Sequence, residues 1–334
     1  MDDRQQPSTH KAEPLEAWLA GLRLGEPISQ EGLALIPLYA DGERRSVQYR
    51  TLAVAIAAGE VIVTETAQAT VPTLKLINKG RLPVLILDGE EVIGGRQNRI
   101  VNTTLLVPAR SAFDLPVSCV EHGRWHEVQP MFDAGETAYP RLRSQKLEQV
   151  AASYAVRGAP VADQAAVWDE VADRHRRVGS RSDTGAMRDA YASRQEDLTR
   201  AQEQLRCPDN GPVGVVALVS GRAVCADIFD QAETLGGYWP RLVRSYALEA
   251  LGAETAAPSL DSARRLLQRP LKAQRTAFPS PGLGQDVRIS GNGVVGAALI
   301  WEGVAVHTAV FRRQNGTKGA RIRRPTQRAR WYER

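Results

Sequence analysis

The stretches Val213 to Phe229, VGVVALVSGRAVCADIF, and Val295 to Phe311, VGAALIWEGVAVHTAVF, decide the fold. They agree at Val213/Val295, Gly214/Gly296, Gly221/Gly303, Ala223/Ala305, Val224/Val306 and Phe229/Phe311. Each reads as an apolar strand, a two-residue turn ending in Gly, and a second strand. Ser220-Gly221 and Glu302-Gly303 supply the turns, since Gly adopts positive φ at little cost. A weaker third copy runs from Val84 through Asp88-Gly89 to Val92. Hairpins imply antiparallel pairing, and six coincidences point to a structural repeat.

The rest of the chain fits around these hairpins. LALIPLY, VIVTET, TLKLIN, PVLILDG, TTLLVP and LPVSCVE are short apolar runs punctuated by Gly, Pro and Asp, so residues 22–138 read as mainly β. A short helix fits Leu52–Ala58, ended by Gly59. From Tyr139 to Arg206 the spacing changes. Leu147, Val150, Ala151 and Tyr154, then Val161, Ala165, Trp168, Val171 and Ala172, recur every three or four residues and predict helices. Ser182 or Asp183 is placed to cap a third. Between the C-terminal hairpins, Val243, Tyr246, Ala247, Ala250 and Leu251 form a helix face with Gly236-Gly237 as a break before it, and Ser259–Leu267 forms another helix. The expected class is α+β: a mainly antiparallel sheet built from hairpins, with a helical segment inserted in the middle. Residues 1–21 read as a flexible arm, 22–313 as one domain (mainly β to 138, helical at 139–206, β with helices at 207–313), and 314–334 as a basic tail.

Composition narrows the class. The 334 residues are 43% hydrophobic and 24% charged, which excludes a disordered or collagen-like chain. No run approaches the ~18 apolar residues of a membrane helix, so no membrane partner is expected. The opening MDDRQQPSTHKAEP lacks the apolar centre of a secretory signal. Cys119, Cys207 and Cys225 are odd in number and far apart, as reduced thiols in a cytoplasm would be. The net charge of +5 conceals an asymmetry. From Arg312 onward there are nine Lys/Arg and one Glu, leaving a body of −3. Such a tail can grip nucleic acid. A terminal charge run is more often solvated, so nucleic acid is the less favoured partner.

Chemistry concentrates in DGEEVIGGRQNRIVNTTLLVP and LPVSCVEHGRW. Glu90, Glu91 and Glu121 are the candidates for a general base. Gly94 and Gly95 let the backbone turn sharply and bring its amides near a ligand. Arg96 and Arg99 offer planar forks for carboxylate or phosphate. Gln97, Asn98 and Asn102 donate and accept, as a ribose-like ligand requires. Cys119, Arg124 and Trp125 complete the candidate ligand-binding set. The competing reading is a buried polar network locking two loops together. Cys119 with His122 has the composition of a thiolate and base, although three-residue spacing on a strand separates their faces. No C-x-x-C exists, so no zinc site is expected. Asp227 and Asp230, near Arg241 and Arg244, suit either Mg²⁺ or, preferentially for Asp230, a helix cap with a surface salt bridge. P-loop, dinucleotide and nucleophile-elbow motifs are absent, and no cofactor is specified.

The order G-E-E-x-x-G-G-x-Q-N-R, then V-S-C-V-E-x-G-R-W, resembles the ADP-ribosylglycohydrolase- and Rhodanese-Phosphatase-superfamily-associated protein family. The resemblance spans about residues 22–313, including Trp168-Asp169-Glu170, Ser182-Asp183-Thr184-Gly185, Ala226-Asp227-Ile228-Phe229-Asp230 and Trp239-Pro240-Arg241-Leu242. It implies genomic company with enzymes of ADP-ribose or phosphate chemistry, and it carries no mechanism. The expected function is binding or processing of a nucleotide-derived, ADP-ribose-like small molecule. The alternative is a non-catalytic interaction module whose basic tail recruits a partner or nucleic acid.

Overall fold

A computed structural model describes residues 13–42, 45–66, 72–124 and 126–313. The expected tail, residues 1–12 of the expected arm, and Trp125 lie outside them. The chain begins with α1 (Glu13–Ala20), β1 (Leu22–Leu24), β2 (Ile28–Gln30), β3 (Leu33–Ala40), β4 (Arg50–Thr51) and α2 (Leu52–Ala57). Strands β5 (Val61–Glu65), β6 (Thr73–Asn78), β7 (Val84–Ile86), β8 (Glu90–Ile93) and β9 (Arg99–Val101) follow. After them come β10 (Leu105–Val107), β11 (Ser111–Cys119) and β12 (Asp133–Thr137). The helical middle holds α3 (Pro140–Arg157), α4 (Gln164–Val178), α5 (Met187–Ala192) and α6 (Gln195–Gln204). The remainder is β13 (Gly214–Val219), β14 (Arg222–Phe229), α7 (Ala232–Ala250) and α8 (Leu260–Gln268), a 3-10 turn at Arg269–Lys272, then β15 (Gln274–Pro279), β16 (Gln285–Gly291), β17 (Val294–Trp301) and β18 (Val304–Arg312). This is the α+β chain that the sequence predicts.

A nine-stranded sheet, β1-β3-β13-β14-β18-β17-β16-β15 with β2 also on β3, is antiparallel throughout. Its central strands read as unbroken apolar runs because both faces are covered. Val215 and Ala217 enter one core with Leu33 and Leu35 of β3, facing α3 and α7 through Leu142, Leu147, Tyr238 and Leu242. Val216 and Leu218 enter the other with Ile36 and Leu38, facing α1 and α8 through Leu15, Trp18 and Leu266. A six-stranded antiparallel sheet, β12-β8-β9-β11-β6-β5, and a short sheet, β10-β7-β4, enclose a third core around Leu76, Ile86, Val101, Val117 and Phe132. In β6 every second residue is buried, the mark of a sheet with one wet face.

The two C-terminal hairpins match as the repeat requires. Ser220 and Gly221 have φ of 47° and 71°, and Glu302 and Gly303 have 49° and 77°. Both hairpins shift register at equivalent points, between Ala217 and Leu218 and between Leu299 and Ile300. β14 then pairs with β18, matching Cys225 with Phe311, Asp227 with Ala309, and Phe229 with His307.

Four expectations are corrected. Val84 to Val92 is not a third hairpin: β7 pairs with β10 and β4, and β8 with β9 and β12. Residues 13–20 of the expected arm form α1, because Leu15, Trp18 and Leu19 share one helix face and are buried on the large sheet. Gly236-Gly237 does not break α7, which runs through both and through Pro240. Burying Leu235, Tyr238, Trp239 and Leu242 outweighs a propensity cost of about 1 kcal/mol per Gly and 3 for Pro. Ser182 is no helix N-cap: the first residue before α5 is Ala186, whose N–H donates to the Ser182 Oγ. The sequence reading also passed over β15 and β16, although Asn292-Gly293, between β16 and β17, is a strong turn signal.

Helix α3 is tied to the large sheet by charge. The inaccessible Arg143 donates from two guanidinium nitrogens to Asp227 at 2.7 and 2.9 Å and approaches Asp88 at 3.4 Å. Tyr246 Oη donates to the same aspartate, and His307 Nε2 lies 3.1 Å from it. Burial opposes ionisation of Asp227, yet Arg143 and His307 outweigh it and hold the carboxyl far below its ordinary value. Lys146, one turn along, donates to Asp88 and to the carbonyls of Val101 and Asn102. Asp227 and Asp230 therefore do not share an ion: Asp230 accepts from Val47 N–H and the Tyr49 hydroxyl, and it neither caps α7 nor pairs with Arg241 or Arg244.

The two turns provide a test of the fold. A Cβ at Gly303 meets nothing within 4 Å, whereas one at Gly221 would stand 2.4 Å from the Ala257 carbonyl oxygen. Gly303→Ala should cost about 1 kcal/mol from positive φ alone. Gly221→Ala should cost about 1–3 kcal/mol more. Urea unfolding of both variants measures this, and equal losses would contradict the close packing of Gly221.

Candidate functional site

The two glutamates adjacent on β8 diverge, as alternate strand residues must. Glu90 is inaccessible and bridges to α7: Arg241 donates to Oε1 at 2.7 Å, and Tyr238 Oη and Leu87 N–H donate to Oε2 at 3.0 Å each. It acts as a strut between sheet and helix. Glu91 is equally inaccessible, but it has no cation in direct contact among the described residues. Its Oε2 accepts the Glu136 N–H at 3.2 Å, and Oε1 is buried with no hydrogen-bond partner. Burial pushes the Glu91 carboxyl up to about 8; the Glu136 N–H and Arg188 oppose this, and the charges of Glu136 and Glu121 add to it. Burial, one amide donor and an unpartnered oxygen all favour the protonated form of Glu91 over the carboxylate.

A cleft of about 370 Å³ opens over the strand that covers Glu91. Gly135 and Glu136 of β12, Arg188 of α5, Gln195 of α6, and Arg241 and Arg244 of α7 line it. Gly135 is required here, since a Cβ would fall 2.6 Å from Glu91 Oε2. Arg244 grips Glu136 with contacts of 2.7 to 3.1 Å and reaches Gln195 Oε1 at 3.0 Å. Arg241 is matched by Glu90. Arg188 is exposed and makes no hydrogen bond or ion pair among the described residues. The cleft thus combines two oriented guanidinium groups, one unmatched cation and a neutral carboxyl behind its wall.

The other expected residues form a neighbouring network. Gly94–Asn102 and Ser118–Arg124 meet, with β9 paired to β11 from Arg99↔Cys119 to Val101↔Val117. Glu121 Oε2 accepts from Asn98 N–H at 3.0 Å and from Arg124 at 2.7 Å, while Thr184 Oγ1 donates to Oε1 at 2.9 Å. Burial would raise Glu121, but these donors prevail and hold it below its ordinary value. Arg124 also closes on the carbonyls of Gly94 and Gly95 and on Asn98 Oδ1. The amides expected to meet a ligand are engaged internally: Gly94 N–H with Asn98, Gly95 N–H with Gln129, and Arg96 N–H with Glu65. Arg99 donates to the Gln97 carbonyl and Oε1 at 3.1 Å, while Arg99 Nε and Gln97 Nε2 stay buried without hydrogen-bond partners. Asn102 donates to the Pro160 carbonyl and accepts from Ser118. Arg96 and His122 are the exposed side chains of this group among the described residues.

Cys119 is a buried thiol with no solvent access. Burial pushes its thiol up to about 11 against the pull of Arg99, and Gln164 clamps its backbone. His122 instead packs edge-on against Trp168 with ring centroids 4.3 Å apart. Glu136 was missed because it lies about fifty residues before Arg188 and Gln195, and those two sit on consecutive short helices with no motif between them. Arg241 and Arg244, three apart on one helix, carried the available signal.

Comparison with known families gives a family match, the ARG and Rhodanese-Phosphatase-superfamily-associated Protein domain, over residues 21–311. No curated protein and no solved structure matches the chain.

The Glu91 carboxyl makes stability depend on pH. An unfolded glutamate releases its proton near 4.5, whereas Glu91 keeps it to about 8. The native state therefore holds the extra proton between these values, and its stabilising effect, complete below 4.5, is lost as pH rises to 8. The loss is about 1.4 kcal/mol per pH unit. Glu91→Gln, an isostere of the neutral acid, lacks it, so its stability relative to the parent should improve from pH 5 to pH 7 in urea unfolding. A pH-independent difference would show that Glu91 ionises normally.

Proposed function

For a chain that belongs to the ARG and Rhodanese-Phosphatase-superfamily-associated Protein domain family, we propose that the cleft beside Glu91 binds and processes a nucleotide-derived small molecule of the ADP-ribose kind. The observation that carries this reading is the exposed Arg188, without an ion pair among the described residues, in the wall of a cleft that lies over the strand covering the buried Glu91. A phosphate ester needs a cation not already spent on an internal carboxylate, and a planar guanidinium fork matches its oxygens. Arg241 and Arg244, held by Glu90 and Glu136, add positive potential without having to be ordered on binding. Gln195 and Glu136 have the donor and acceptor groups that ribose hydroxyls require. Glu91 is the candidate proton donor of this reading, and reaching a ligand from behind Gly135 requires β12 to give way. Glu121, held ionised by Arg124, is better suited to positioning than to proton transfer. The reduced state of all three cysteines supports a cytoplasmic setting.

A second reading has its own observation. Asn98, Arg99, Asn102, Glu121 and Arg124 are buried and bonded to their neighbours, as an internal network in a non-catalytic interaction module would be. The two readings part on ligand binding. Under ours, ADP-ribose or ADP at about a hundred times its Kd should stabilise the protein by about 2.7 kcal/mol and raise Tm by several degrees. Arg188→Glu should abolish the shift while leaving the unliganded Tm within a degree or two, because Arg188 supports no internal pair. A panel of nucleotides, ADP-ribose and divalent cations without any Tm shift, or a shift undiminished in Arg188→Glu, would favour the module.

A further inference from the structure

We propose that a second, separate site binds the phosphate backbone of nucleic acid in a groove at the β13–β14 turn, the start of α8 and the end of β18. Two clefts of about 410 and 490 Å³ adjoin there and share Arg269 and Arg312 in their walls. Arg222 and Arg265 line the first, and Arg313 the second. Glu249 is the sole acidic lining residue of the pair and is taken by Arg174 at 2.6 Å. Arg313 is balanced by Glu148. Arg222, Arg265 and Arg312 form no ion pair or side-chain hydrogen bond among the described residues, and all three are exposed. Like-charged side chains gathered without counter-charges destabilise a surface unless an anion joins them.

The chemistry of the groove selects among anions. Ser220, Ser259 and Ser262 line the first cleft beside the arginines, giving hydroxyls suited to phosphate oxygens. Two connected clefts exceed what one phosphate group fills, so the fit is to a chain of phosphates. A membrane surface fits poorly, because among the described residues the exposed large apolar side chains Val54, Ile77, Val128, Met131 and Val156 all lie outside the groove lining. The aromatic residue in its walls, Phe311, is only 1% exposed and offers no face for base stacking. The groove therefore grips backbone and leaves bases unread, which implies binding indifferent to sequence. The protein's own following residues cannot neutralise it: positions 314–334 contain seven Lys/Arg and one Glu.

The test uses full-length protein and a labelled 20-nucleotide single-stranded DNA of mixed sequence, followed by anisotropy from 50 to 200 mM salt. The triple variant Arg222→Glu, Arg265→Glu, Arg312→Glu should bind at least tenfold more weakly at 100 mM salt. Its slope of log affinity against log salt should flatten by about 2, at about 0.7 per lost phosphate contact. Arg188→Glu, in the other cleft, should bind like the parent. Arg222→Gln with Arg265→Gln removes two charges without adding acid, and should give an intermediate loss if the triple variant folds poorly. No binding by the parent at 50 mM salt, or parent-like binding by the charge-removed variants, would overturn the proposal. Displacement of the DNA by micromolar pyrophosphate would equally overturn it, in favour of a small phosphate ligand.

Discussion

The structure depends on one buried ionic contact, Arg143 with Asp227. Neither side chain has access to water, so each is tolerable only because the other is present. Removing one partner of such a pair costs about 3–5 kcal/mol, a large part of the stability of an ordinary domain. The contact also sets geometry. Arg143 fixes α3 against β14, its neighbour Lys146 holds the Asp88 turn and the carbonyls at the end of β9, and the Asp88 turn leads directly into the two glutamates of β8. His307 and Thr104 extend the same chain of contacts from β18 to the segment before β10. The large sheet and the small sheets are thus joined by polar atoms with specific partners, which fixes orientation more narrowly than apolar packing alone.

The hairpins were legible because their chemistry is local: an x-Gly turn between apolar runs leaves little freedom. The same logic failed for Asp88-Gly89, where the strands on either side find partners elsewhere and only the turn is hairpin-like. The first helix was missed because eight residues between polar flanks carry little weight, although Leu15, Trp18 and Leu19 have helical spacing. Gly236, Gly237 and Pro240 misled for the opposite reason, since local propensity there is overruled by burial.

The candidate site was half legible. Sequence density correctly drew Glu90, Glu91, Asn98, Glu121 and Arg124 into one region, because strands β8, β9 and β11 are neighbours in both chain and sheet. It could not tell which groups would be spent on each other. Glu90 and Glu91 make the point: identical, adjacent and both sealed from water, they differ because one faces Arg241 and the other a backbone amide. One carboxylate is an anchor and the other an acid. The cleft beside them is lined by helices α5, α6 and α7, which bring Arg188, Gln195, and Arg241 with Arg244 to it from different parts of the chain.

The paired hairpins have a consequence for symmetry. Cys225 faces Phe311 and Phe229 faces His307, and these four residues are two pairs of equivalent positions in the repeat. The hairpins therefore meet as two identical subunits would across a twofold axis, and that axis passes through Asp227 and its counterpart Ala309. A residue on a twofold axis confronts its own copy. Had the repeat stayed faithful there, two carboxylates would stand directly opposite each other with one Arg143 to serve both. Ala309 removes the second charge. The sheet keeps the symmetry in its backbone and gives it up at the single pair where symmetry would have turned attraction into repulsion.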